Sequence, residues 1–119
     1  MTPAEFKART RAFAIDVIRL VRGLPRTFVS AHIAHQLLRC GTSQAGNYRA
    51  AYRARSKADF IAKMGIVEEE LDESLFWFDL LVSSKEPVPS DDVKRLWAEA
   101  DELLAMTVQS IRTARGGSR

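Results

Sequence analysis

Helix punctuation, more than any other feature, limits what this chain can fold into. Four runs have apolar residues recurring every three or four positions, and each is bounded by caps or breakers. Thr2-Pro3-Ala4-Glu5 supplies a capping threonine, a proline at the first helical position and a glutamate that closes a capping box. Phe6, Phe13, Val17, Leu20 and Leu24 follow in helical spacing, flanked by Ala14, Ile18 and Val21, and Gly23-Leu24-Pro25 ends the run. A second run opens at Thr27 or Ser30 and passes through Ile33, Leu37 and Leu38 to about Ala54. Ser56-Lys57-Ala58-Asp59 caps the third, whose stripe is Phe60, Met64, Val67, Leu71, Leu75, Phe78 and Val82. Two prolines between Lys85 and Pro89 break the ladder. Ser90-Asp91-Asp92 then caps a fourth run, striped by Val93, Trp97, Ala100, Leu104, Val108 and Ile111 and ended by Gly116-Gly117. Sustained alternation and Asn-Gly turns are both missing, so nothing reads as a strand. The expectation is an all-α fold, an antiparallel up-and-down four-helix bundle as one domain over residues 1–115, with 116–119 as a disordered tail.

The bulk properties agree with that. A chain of 119 residues holds one real core, and 46% apolar with 28% charged residues suits a globular protein rather than a disordered one. No apolar run approaches the roughly 18–20 residues that span a bilayer, so no membrane partner is expected. The start, MTPAEFKART, has no apolar signal core, which makes the cytoplasm the expected address. The single cysteine, Cys40, excludes an internal disulfide framework and reads as a small buried hydrophobe.

The second run poses a problem. In "RCGTSQAGNYRAAYRARSKADF", residues 39–60, Gly41 and Gly46 sit among small residues, and each glycine weakens a helix by about 0.8–1 kcal/mol relative to alanine. Either the helix breaks there, or small side chains let another helix approach closely. No proline interrupts the stretch, and Leu38, Ala45 and Tyr52 lie seven apart straight through it, which favours a continuous helix with a close crossing. Ser43 and Asn47 share a face, and a buried Asn47 needs partners, for which Glu70 or Glu73 of the third run are the expected acceptors.

That third run has a surplus. In "LFWFDLLV", residues 75–82, apolar side chains go most of the way round the helix. One small bundle offers no second layer to cover them, so Leu75, Phe76, Trp77 and Leu80 are expected to meet another subunit; one oversized core patch is the alternative.

Charge is distributed unevenly along the chain. Residues 1–57 carry 11 Lys/Arg against 2 acids, whereas residues 58–119 carry 7 against 13. Arg49, Arg53, Arg55 and Lys57, with Lys63 further on, form the best candidate for binding RNA or DNA, because clustered cations release counterions from phosphates and arginine forks match phosphate oxygens. Tyr48 and Tyr52 are placed to stack on bases. The alternative is that these cations meet a helix dipole or pair with the acidic third run. His32 and His35 lack the Glu-x-x-His partners of a di-iron bundle, so no metal and no cofactor is expected. Glu68-Glu69-Glu70 with Asp72 and Glu73 has no nucleophile or phosphate loop beside it and reads as a solvated or ion-paired face, not a catalytic one.

Residues 36–81, from Gln36 to Leu81, resemble a bacterial four-helix-bundle family named for proteins encoded in intervening sequences of large-subunit ribosomal RNA genes. That family includes the accessory variability protein of diversity-generating retroelements. The matching residues are Arg39, Gly41-Thr42-Ser43, Asn47, Arg53 to Phe60, and Glu70 to Leu81. Members commonly carry a glutamate three residues after the asparagine, where this chain has Ala50, which leaves Arg49 and Arg53 one counter-charge short. The resemblance implies a homo-oligomer, by analogy a pentamer, without enzyme activity. For retroelement members it implies nucleic acid and a reverse transcriptase as partners.

Overall fold

The computed structural model describes residues 1–116, and α1 (Pro3–Arg22), α2 (Phe28–Tyr52), α3 (Lys57–Ser83) and α4 (Ser90–Ala114) follow one another through short connections. No strand occurs among the described residues. Phe6 of α1 lies edge-on to Tyr48 of α2, ring centroids 4.7 Å apart, so the start of α1 meets the end of α2. Arg9 reaches Glu99 and Glu102 midway along α4, and Asp16, further along α1, reaches Arg95 nearer the start of α4, so these two helices also run antiparallel. The result is the expected antiparallel bundle.

Local chemistry explains most helix ends. Thr2 Oγ1 accepts from Glu5 N at 3.1 Å, Thr27 Oγ1 from Ser30 N at 3.1 Å and Ser56 Oγ from Asp59 N at 3.0 Å, each satisfying a backbone donor with no partner inside its helix. The fourth start differs from expectation. Pro89 occupies the cap without a side-chain bond, and Ser90 is already the first helical residue. Asp91 and Asp92 remain in the first turn, where carboxylates favour the positive end of the dipole. At the other end of α4, Gly116 adopts φ +81°, a left-handed conformation open to glycine. The rest of the expected tail, residues 117–119, lies outside the described residues.

Phe13, Val17, Leu37, Met64, Leu71, Phe78, Leu81, Leu96 and Leu103 fill the centre and are essentially inaccessible. The run through Gly41 and Gly46 stays helical, as α2 is unbroken from Phe28 to Tyr52. Its buried face, however, is Leu37, Gly41, Gln44, Tyr48 and Ala51, whereas Leu38 and Tyr52 stand on an exposed flank. The two glycines differ. A Cβ at Gly41 would lie 2.9 Å from both Cγ1 and Cγ2 of Val17, so α1 crosses α2 there closely enough that an added methyl would have to displace Val17. At Gly46 a Cβ would meet nothing within 4 Å.

One polar side chain enters the α1–α2 contact. Gln44 is fully buried, its Nε2 donating to the Thr10 carbonyl at 2.8 Å and to the Gly41 carbonyl at 3.1 Å, while its Oε1 has no partner among the described residues.

Candidate nucleic-acid interface

Arg49 lies in the last turn of α2, Arg53 is its C-cap, Arg55 sits in the connection, and Lys57 is the first residue of α3. All four side chains are exposed, and none has an ion-pair partner among the described residues. A helix dipole accounts for only part of the cluster. Arg49 and Arg53 stand at the negative end of α2, but Lys57 stands at the positive end of α3, where a cation is unfavourable.

Lys63, the fifth expected member, is engaged elsewhere. Its Nζ contacts Asp59 Oδ1 at 2.6 Å, one turn back on α3. That hydrogen bond, with the nearby Arg55 as a lesser influence, holds the Asp59 carboxyl below its usual range.

Glu70 and Glu73 of α3 pair with a different cation from those expected. Arg39, midway along α2, contacts Glu70 at 3.4 Å and also pairs with Glu73, whose carboxylate accepts from Trp77 Nε1 at 3.2 Å. Asn47 therefore has no carboxylate partner. It bonds within its own helix instead, Nδ2 donating to the Ser43 carbonyl at 2.9 Å and contacting Ser43 Oγ at 3.0 Å. A half-buried amide can be satisfied by the preceding turn, an option that face-sharing alone does not reveal.

Of the two tyrosines only Tyr52 is available. Tyr48 is 4% exposed, its hydroxyl donates to the Pro3 carbonyl at 3.3 Å, and burial pushes its phenol pKa up. Tyr52 is 43% exposed, with Lys7 Nζ 4.6 Å from its ring centroid. Lys7 and Arg11, one turn apart on α1, border an open trough of about 720 Å³ together with Arg49 and Tyr52 of α2. Sequence reasoning missed both. Their only signal was a pair of cations four apart, off the apolar stripe of α1.

The surplus apolar surface of α3 is also present. Phe76 is 52% and Leu80 36% exposed, whereas Leu75 and Trp77 are half-buried against the core. Exposed Phe28 and Val29 at the start of α2 extend this surface, and His32 lies edge-on to Trp77 at 5.6 Å. Between α2 and α3 they leave an open apolar hollow of about 930 Å³. The other histidine, His35, borders a separate hollow beside Arg22 and Pro25. No group of three His, Cys, Asp or Glu side chains able to hold a metal occurs among the described residues.

Cys40 is buried against α3. Ser74 Oγ lies 3.2 Å from its sulfur, and loss of hydration raises the thiol pKa.

Arg39 with its two glutamates, the Gly41 crossing and the Ser56 cap place the resembling stretch in its three-dimensional setting, and the comparison with known proteins reaches further. The model of the 23S rRNA-intervening sequence protein family matches residues 4–109. The chain belongs to that family. A crystal structure of a protein with unknown function from the S23 ribosomal protein family of Bacteroides thetaiotaomicron VPI-5482 is 28% identical to it. That structure superposes with a TM-score of 0.83, covering 94% of this chain and 99% of the other. No curated protein matches the chain. Among the described residues, no helix of this 23S rRNA-intervening sequence protein is long and apolar enough to cross a membrane.

Proposed function

We propose that this 23S rRNA-intervening sequence protein is a non-enzymatic, self-associating scaffold that binds RNA or DNA through Arg49, Arg53, Arg55 and Lys57. One observation carries the reading: these cations share one end of the bundle and lack ion-pair partners among the described residues, while Glu70, Glu73 and Asp59 are engaged by Arg39 and Lys63. Internal neutralisation, the basis of a purely structural role, thus reaches other residues than these. Binding of this kind follows phosphate charge more than base identity.

Titration of a labelled single-stranded RNA tests it. Four phosphate contacts give a slope of about −3 in log affinity against log salt, which is roughly 50-fold weaker binding at 200 mM than at 50 mM. Arg49→Glu with Arg53→Glu should abolish most of the low-salt binding. Retention that ignores salt, or ignores that double substitution, removes the proposal.

Self-association rests on the exposed Phe76 and Leu80 together with Phe28 and Val29. Five copies is the number that the family resemblance implies, and a reverse transcriptase enters as a partner only where the gene lies in a retroelement. Light scattering after size exclusion should give a multiple of 13.4 kDa that drops when Phe76 and Leu80 become glutamate. A wild-type monomer overturns this part.

A further inference from the structure

The cations of the α2–α3 connection continue along the molecule. Lys7 and Arg11 on α1 face Arg49 on α2 across the open trough, and among the described residues every charged side chain lining it is a cation. Arg53 follows Arg49 by one turn, so two cationic rows flank a floor of alanines and Gly46 that carries nothing larger than a methyl group. At one end the exposed Tyr52 ring has the Lys7 ammonium 4.6 Å from its centroid. No contact among the described residues requires the glycine in that floor, since a Cβ at Gly46 would meet none of them within 4 Å.

We infer that this trough is the seat of a single nucleic-acid strand, with phosphates on Lys7, Arg11 and Arg49 and a base or ribose against Tyr52. The inference rests on the nucleic-acid reading above and adds where the strand lies and which form is taken. A shallow channel between cations with an aromatic ring in it is how proteins hold single strands without reading sequence. A duplex is wider than the about 8–10 Å between packed helix axes and would ride on the rims. An acidic helix is the competing occupant, and its charge would also suit the trough. The cations, however, run past the last residue of α2 to Arg53 and Arg55, round the end of the bundle. A flexible strand can follow that turn and a straight helix cannot.

Four variants and three probes separate the possibilities. The probes are a fluorescein-labelled 20-nucleotide single-stranded RNA, the same RNA annealed to its complement, and a labelled helical glutamate-rich peptide, followed by anisotropy at 50 mM salt. Wild type should bind the single strand at least tenfold more tightly than the duplex. Lys7→Glu with Arg11→Glu should weaken single-strand binding at least tenfold, and Tyr52→Leu about 5- to 150-fold. Gly46→Leu fills the floor without changing charge and meets no neighbour at its Cβ, so it should weaken binding at least tenfold while the thermal midpoint holds or rises. Arg53→Glu with Arg55→Glu reports on the basic end alone. If that last variant loses binding while the other three bind as wild type, the trough is refuted and the broader nucleic-acid reading stands. If wild type binds neither RNA, both fall. Equal affinity for duplex, or a trough that takes the glutamate-rich peptide and no RNA, overturns the inference.

Discussion

The two glycines of α2 make the most direct test of how the bundle is packed. At Gly41 an added methyl would sit 2.9 Å from two Val17 carbons, a clash that something must relieve. Overpacking of this kind costs about 1–3 kcal/mol. Alanine's better helix propensity returns about 1 kcal/mol, so Gly41→Ala should be neutral to about 2 kcal/mol destabilising. Gly46→Ala meets nothing within 4 Å and keeps the propensity gain, so it should stabilise by about 1 kcal/mol. The two substitutions are chemically identical and five residues apart in one helix, yet they should differ by about 1–3 kcal/mol. At about 3–5 °C per kcal/mol for a chain of this size, their thermal midpoints should lie about 3–15 °C apart. Circular dichroism melts and urea titrations, at one fixed protein concentration because self-association shifts midpoints, measure this. Val17→Ala supplies the control: it should be less harmful in the Gly41→Ala background than in wild type, since the clashing carbons are gone. Gly41→Ala as stable as Gly46→Ala, with no coupling to Val17, would refute the close crossing.

Arg9 donates from Nε and Nη2 to the two oxygens of Glu99 at 2.8 Å and also contacts Glu102, joining α1 to α4. Arg9→Met should lower stability by about 1–2 kcal/mol, less in high salt, by urea titration. Ser56→Ala removes the α3 cap and should cost about 1 kcal/mol. Because the folded Asp59 carboxyl is held below its ordinary range, its contribution is present above the unfolded value near pH 4 and fades as the pH falls through the folded one; Asp59→Asn should flatten that acid limb of the stability profile. Cys40, inaccessible and raised in pKa, should not react with a disulfide reagent at pH 8 until urea unfolds the chain, and fast reaction of the native protein would contradict its burial.

The helices were legible because their ends are written in short-range chemistry. Thr2, Thr27 and Ser56 each bond a backbone amide three residues away, and Pro25, Pro87 and Pro89 act on their own turn. Less legible was anything that depends on rotation about a helix axis. Leu38, Ala45 and Tyr52 repeat as regularly as the true core line through Leu37, Gln44 and Ala51, and only the neighbouring helices decide which is inside. Rotation also sets depth within the apolar run of α3, where Phe76 and Leu80 stand exposed while Leu75 and Trp77 are half-buried, and it gives Glu70 to Arg39 rather than to Asn47. Lys7 and Arg11 were missed for a different reason. They are distant in sequence from Arg49, and only the antiparallel return of α2 brings the three together.

The amide buried between the first two helices has a consequence for everything built on their outer side. Shifting one rod along the other by a single residue would carry the Thr10 carbonyl away from Gln44 and leave its buried amide with the Gly41 carbonyl of its own helix as sole partner. The pair therefore mates at one height, much as a keyed shaft seats at one position. A leucine there would leave the height to the fit of Gly41 against Val17 alone, and slipped forms, visible as doubled amide resonances, would misalign the cationic residues that now oppose one another across the groove.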